Sequence, residues 1–216
     1  MKSICRAGLA AAFAVLGATS AFAAPQNEGL YGIQITNGTA DLYDGSGAAK
    51  GYITAYDHSE LGLALQYWRV MRADYAFNFT IGTGWFSETD QPGNNASPRS
   101  SNVKYTQTSW SLRVGGDRVV KVGDRAAFYF GPGLEYWTGK AKYEAAGTGT
   151  SWDSQYVSRY GLSGRVGGVM YLSDKLGFNC QVGRYVSYAT VTDEGAKASW
   201  WPSGFQAAGG LVLRGR

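Results

Sequence analysis

The chain has 216 residues, among them 31 Gly, 7 Trp, 15 Tyr and 9 Phe. Charged residues make up 17%, against about 25% in an average soluble domain, and the net charge is only +4. This aromatic content without charge runs excludes a disordered chain, and a single histidine, His58, excludes a zinc centre built from several imidazoles.

In chain order, the first feature is a positive start. Lys2 and Arg6 precede an apolar run from Ala7 to Leu16, and Ala21-Phe22-Ala23 follows as a small-x-small cleavage signature. The run is too short for a membrane span, so segment 1–23 reads as a secretory signal peptide and 24–216 as the mature domain. Cleavage would remove Lys2, Cys5 and Arg6, leaving a net charge of +2 and Cys180 as the sole thiol. An intramolecular disulfide is then excluded. No Lys/Arg stripe appears, so nucleic acid is not an expected partner.

Alternation of period two dominates the mature chain. Leu61, Leu63, Leu65 and Tyr67 share one face, with Gly62, Ala64, Gln66 and Trp68 on the other. Tyr75, Phe77, Phe79, Ile81, Thr83 and Trp85 repeat the pattern, as do Phe128, Phe130, Pro132, Leu134 and Tyr136. The same rule predicts eight strands, at 29–37, 59–69, 74–87, 104–116, 124–140, 155–172, 176–190 and 203–214. Connections alternate between long (38–58, 88–103, 141–154, 191–202) and short (70–73, 117–123, 173–175). Long ones hold turn-forming runs such as Asp44-Gly45-Ser46-Gly47 and Gln91-Pro92-Gly93-Asn94-Asn95. Asn37-Gly38 is a tight-turn pair, and its use would raise the count to ten strands.

Alternation alone does not separate a soluble barrel from a membrane barrel; the second face decides. It carries Gln34, Asn78, Gln107, Ser109, Ser111, Arg113, Glu135, Arg159, Ser163, Arg165, Asn179 and Gln181. Small and polar residues with isolated charges suit the filled interior of a narrow barrel. The apolar face then points into lipid. Tyr67, Tyr75, Phe128 and Phe178 fall near the short-turn side. Trp85, Trp110, Tyr136, Tyr156, Tyr160, Tyr188 and Phe205 fall toward the long-loop side. Between them lie Leu63, Phe79, Ile81, Leu112, Leu162, Val166 and Val182. Two aromatic girdles around an aliphatic band are expected of a transmembrane barrel. Arg113, Glu135, Arg159 and Arg165 form an expected interior charge cluster with Glu135 as its hub, nearer in height to Arg159 than to Arg113.

With its signal peptide, loop–turn alternation and Gly-rich amphipathic strands such as Tyr129-Phe130-Gly131-Pro132-Gly133-Leu134-Glu135-Tyr136, the chain resembles the small eight-stranded outer-membrane barrels of Gram-negative bacteria. The resemblance covers roughly 29–214 and implies an antiparallel up-and-down transmembrane β-barrel with periplasmic ends and surface-exposed long loops. Members include structural anchors, adhesins, resistance factors and a few lipid-modifying enzymes. Two departures stand out. The chain ends Leu211-Val212-Leu213-Arg214-Gly215-Arg216, without the terminal aromatic that the insertion machinery reads. Arg184 falls on the lipid face between Val182 and Val186, unless a bulge at Gly183 turns it inward or it reaches a rim.

The expected role is non-enzymatic: envelope structure, or surface interaction through the long loops. The expected partners are outer-membrane lipid, the insertion machinery during biogenesis and a surface ligand held by the loops. The chain is expected to be a monomer with no cofactor, no metal and no open pore, since eight strands enclose a side-chain-filled interior. Two alternatives stand beside this reading. One is a lipid A-modifying hydrolase or acyltransferase built on His58, Ser59 and Glu60, the sole local nucleophile-and-base set. Adjacent strand residues face opposite ways, which counts against it. The other is a soluble secreted barrel holding a small apolar ligand. Gly82-Thr83-Gly84 and Gly131-Pro132-Gly133 lack the following helix of a phosphate loop.

Overall fold

A computed structural model describes residues 29–40, 58–72, 74–90, 103–123, 125–145, 151–153, 156–193 and 196–215. Segment 1–23, expected to be a signal peptide, and most of the long-loop sequence, including Asp44–Gly47 and Gln91–Asn95, lie outside the described residues. Among the described residues there are ten strands: β1 Gly29–Ala40, β2 His58–Arg72, β3 Tyr75–Asp90, β4 Val103–Lys121, β5 Ala126–Ala145, β6 Ser151–Asp153, β7 Val157–Tyr171, β8 Leu176–Asp193, β9 Ala196–Trp200 and β10 Ser203–Arg214.

All pairings are antiparallel, and β10 pairs with both β1 and β8, which closes the sheet. Eight strands form the wall. The short β6 and β9 add to β5 and β8 only, beyond the closed ring. Closure removes every free edge of the wall, so all its backbone polar groups can pair without water.

The pleat sorts side chains by residue type. On β2, Ala64, Gln66 and Trp68 are buried, while Leu61, Leu63 and Leu65 are exposed. The exposed set runs right around the barrel through Ile33, Ile35, Ile81, Leu112, Leu134, Leu162, Val166, Val182 and Leu211. Leu134 and Leu162 are each 65% exposed. A continuous apolar belt of this kind exceeds what a water-soluble monomer exposes, and it matches lipid.

Two expectations are corrected. Asn37 and Gly38 are not a turn. They lie inside β1, opposite Leu61 and Glu60 on β2 and Ala207 and Gln206 on β10. The two extra strands are instead β6 and β9. Residues 117–121 are strand rather than connection. Gly115-Gly116-Asp117 has turn-like composition, but Asp117 pairs with Ala76 and β4 continues to Lys121. The turn falls at 122–125, where Val122 N–H donates to Ala126 O at 2.9 Å and Gly123 takes φ 72°. That left-handed value favours glycine.

Arg184 stays on the outer face. Gly183 pairs with Arg165 and Arg184 with Gly164 and Phe205 in unbroken register, so no bulge turns it inward. A charge at mid-bilayer costs about 2–4 kcal/mol, and near the interface about 0–1. Arg184 lies four residues below Tyr188 on β8 and has Phe205 beside it, within reach of the upper girdle.

Candidate functional site: the charged lumen

The lumen is layered. At the short-turn end Leu30, Trp68, Ala76, Tyr129, Val169, Tyr171 and Val212 form an apolar floor. Trp68 and Tyr129 meet edge to face, 5.7 Å between centroids, and Arg214 lies over Tyr171 at 4.3 Å. These residues come from six wall strands by plain alternation, so the floor is a direct product of the pleat.

Above the floor sits a polar layer centred on Asp117, which is fully buried. It accepts hydrogen bonds from Arg165 Nε at 3.1 Å, Asn78 Nδ2 at 2.9 Å and Trp68 Nε1 at 3.3 Å, and it pairs with the second guanidinium nitrogen of Arg165. Arg165 Nη1 donates to Gln181 at 3.0 Å, and Gln181 donates on to Gln34 at 3.2 Å. The rings of Trp68 and Tyr129 lie 5.5 and 5.2 Å from the Arg165 guanidinium. Planar, bidentate geometry beside two aromatic rings is what arginine satisfies and lysine does not.

Arg113 stands beside this pair. Its Nε donates to Ser163 at 3.0 Å and its Nη1 to Asn78, and it forms an ion pair with Glu135 at 3.9 Å. Glu135 also accepts from Gln206 Nε2 at 3.3 Å. Arg113 is directly opposite Glu135 in the β4–β5 register, and Gly161, two residues from Arg159, is opposite it on β7. The reason is the longer β4. Moving the turn from 117–123 to 122–125 slides Arg113 up against Glu135. Nor is Glu135 the sole acidic residue of the lumen, since Asp117 and Glu60 are both buried there.

A cavity of about 100 Å³ opens above Arg113 and Glu135, lined also by Thr36, Thr80, Ser111 and Ser163. It has room for water. Thr80 Oγ1, buried without a protein partner, is suited to bind one. The top layer closes over it. Glu60 accepts from Ser109 and from Trp137 Nε1 at 3.2 Å. Arg159 donates to Tyr185 OH at 3.0 Å and lies over the rings of Trp137 (4.8 Å) and Tyr185 (4.1 Å).

Of the local catalytic candidates, Glu60 is thus tied to Ser109 and Trp137. His58 and Ser59 occupy the first two positions of β2, opposite Ala40 and Thr39; their side chains lie outside the described set. Asp117 and Tyr185 escaped the sequence reading. Asp117 was legible, because Ser109, Ser111, Arg113, Gly115 and Asp117 continue one alternating face.

Outside, Tyr67, Tyr75, Phe128 and Phe178 lie on the short-turn side, with the Tyr31 ring tilted against Tyr67, 5.1 Å between centroids. Trp85, Trp110, Tyr136, Tyr156 and Tyr160 are exposed toward the other end. Tyr160, Tyr188 and Trp201 form a chain of ring contacts there, at 5.6 and 5.1 Å. Beyond this girdle, Lys142 Nζ donates to Glu144 at 2.6 Å, and that hydrogen bond and charge hold the Glu144 carboxyl below its ordinary pKa.

No family model matches the chain, and no curated relative does. Solved structures do resemble it. Ail of Yersinia pestis superposes with a TM-score of 0.47 at 14% identity, over 88% of this chain and 100% of that one. OprG of Pseudomonas aeruginosa gives 0.49 at 11%, over 88% and 97%. A major outer membrane protein of Thermus thermophilus gives 0.47 at 13%, over 86% and 99%. The likeness is one of chain path. The closed wall, charged lumen and apolar belt between aromatic girdles are themselves decisive for the fold: the chain forms a small eight-stranded transmembrane β-barrel.

Proposed function

We propose that this barrel acts without catalysis, as a monomeric scaffold presenting a surface for interaction on its long-loop side. The observation that carries the reading is the sheet that outruns the membrane belt. β3, β4 and β5 stay paired past Trp85, Trp110 and Tyr136 up to Asp90, Val103 and Ala145, and β6 extends that sheet. From Tyr136 to Ala145 this is about 30 Å along the strand. Lys104, Lys142 and Glu144 stand exposed on it with both signs of charge. A paired sheet of this length is a rigid platform, and its mixed charge suits a polar macromolecular partner.

Transport is a poor use of this lumen, because the Trp68–Tyr129–Tyr171 floor and the Asp117–Arg165 layer fill it. Glu60, engaged by Ser109 and Trp137, is poorly placed to orient a catalytic histidine. The test compares cells carrying the full chain with cells carrying a barrel whose β3–β6 sheet is trimmed to the girdle. Binding to a panel of proteins and glycans should be lost on trimming, with the lipid A profile the same in both strains. Binding that survives trimming, or a lipid A profile that changes with the chain, overturns the reading. In planar bilayers the purified barrel should show no steady conductance.

A further inference from the structure

The charges of the chain are divided between its two ends. The long connections 38–58, 88–103, 141–154 and 191–202 hold four basic and nine acidic residues. The short-turn end is the reverse, and its excess is one-sided. In the neighbouring β2–β3 and β4–β5 turns and the strand ends beside them, Arg69, Arg72, Arg118, Lys121 and Arg125 are set against only Asp74 and Asp124. The β7–β8 turn, with Asp174 and Lys175, is neutral.

Arg69, Arg118, Lys121 and Arg125 are all exposed. Arg118 pairs with Asp74 at 3.3 Å. Among the described residues no carboxylate pairs with the other three. Two of the cations stand on the lipid side of the wall. Arg69 follows Tyr67 as the next outward residue of β2 and lies opposite Phe77 on β3. Arg118 shares one outward row with Tyr75 and Phe130, both exposed. Girdle aromatics settle at the headgroup level of a bilayer, so these two guanidiniums stand where headgroup phosphates run. Lys121 and Arg125 carry the positive charge on into the turn beneath. A cluster of arginines and lysines at this depth attracts anionic lipid, and a guanidinium takes phosphate through two parallel hydrogen bonds. We propose that the β2–β5 sector of the short-turn rim is a docking surface for anionic glycerophospholipid of the adjoining leaflet, whose phosphates rest on Arg69 and Arg118. A polyanion in the aqueous space would meet the turns from below and leave these two outward residues unused. The surface lies at the opposite end from the long loops and is independent of the role proposed above.

Native mass spectrometry of the detergent-released barrel, offered phosphatidylglycerol and phosphatidylethanolamine in equal amounts, tests it. The parent should retain the anionic lipid about fivefold over the zwitterionic one. Arg69→Gln with Arg118→Gln should lower that preference about threefold, and so should Lys121→Gln with Arg125→Gln, while each barrel keeps its heat-modifiable mobility on gels. Arg69→Lys with Arg118→Lys should keep most of it. Asp74→Asn, which frees Arg118 of its carboxylate, should raise it. Lys175→Gln, which removes one cation from the third turn, should leave it unchanged. Equal retention of the two lipids by the parent overturns the surface. So does a preference that survives both double substitutions, falls as far with Lys175→Gln, or is lowered by Asp74→Asn. Displacement of phosphatidylglycerol by soluble polyglutamate would overturn it too, by assigning the cations to an anionic polymer of the aqueous side.

Discussion

Asp117 and Arg165, 48 residues apart in sequence, form the centre of the lumen through a bidentate contact in which the carboxylate is fully buried. Removing one partner of such a pair strands a charge in a site without bulk water, at about 3–5 kcal/mol. Asp117→Asn should therefore lower the urea stability of the refolded barrel by that order, and Asp117→Asn with Arg165→Met should recover part of it. The looser Arg113–Glu135 pair, at 3.9 Å, should show a smaller coupling in its own double-mutant cycle. Equal coupling at the two pairs would sink this ranking.

Ile81 has Leu65 and Leu112 as cross-strand neighbours in the apolar belt. Ile81→Arg should cost about 2–4 kcal/mol in a refolding titration, since neither leucine offers the cation an aromatic face or an open path. Ser111→Asn, at the lumenal cavity, should cost clearly less. An arginine at Asn78 would be a poor comparison, because Asn78 is fully buried between Asp117 and Arg113 and the new side chain would clash and add a third cation. Equal tolerance of Ile81→Arg and Ser111→Asn would mean the faces are reversed.

Two glycines should respond oppositely to a methyl group. A Cβ at Gly210 would collide with the backbone oxygen of Ile33, whereas at Gly164 it meets nothing within 4 Å. Gly210→Ala should destabilise by about 1–3 kcal/mol through backbone displacement at the β1–β10 seam. Gly164→Ala should be close to neutral. Urea denaturation of the two variants decides the matter, and a neutral Gly210→Ala would show that the seam is looser than drawn.

Ala145 and Ser151 lie on the same rim as Asp90 and Val103, while Asp174 lies in the opposite turn. A protease site inserted between Ala145 and Ser151 should be cut on intact cells, and one at Asp174 only after the outer membrane is opened. The converse pattern would invert the orientation.

The Glu144 carboxyl titrates low because it accepts a hydrogen bond from Lys142, with the charge of that lysine adding to it. A carboxyl whose folded pKa is depressed contributes stability above its ordinary pKa and loses it as pH falls through the depressed value. Lys142→Gln should move the Glu144 midpoint, followed by NMR, up toward the ordinary carboxylate range. The effect on stability should be slight, as the pair is in water and salt-screened.

Period two, read alone, settled the wall. It placed all eight long strands within a few residues and assigned lipid and lumen faces for Leu63, Ile81, Asn78, Arg165 and many others, because a pleated strand leaves each residue two faces and the burial rule picks one. It also kept Arg184 outside, where it lies. What it did not determine was how far each strand slides against the next. Gly115-Gly116-Asp117 has the composition of a turn, and only pairing with β3 and β5 shows that it is strand. That shift of turn put Arg113 directly opposite Glu135, and brought Asp117 to Arg165. Contacts across the lumen join strands that are not neighbours, as Glu60 joins Ser109 and Trp137. They depend on the shear of the closed ring, a property of all eight strands together that no single stretch of sequence contains.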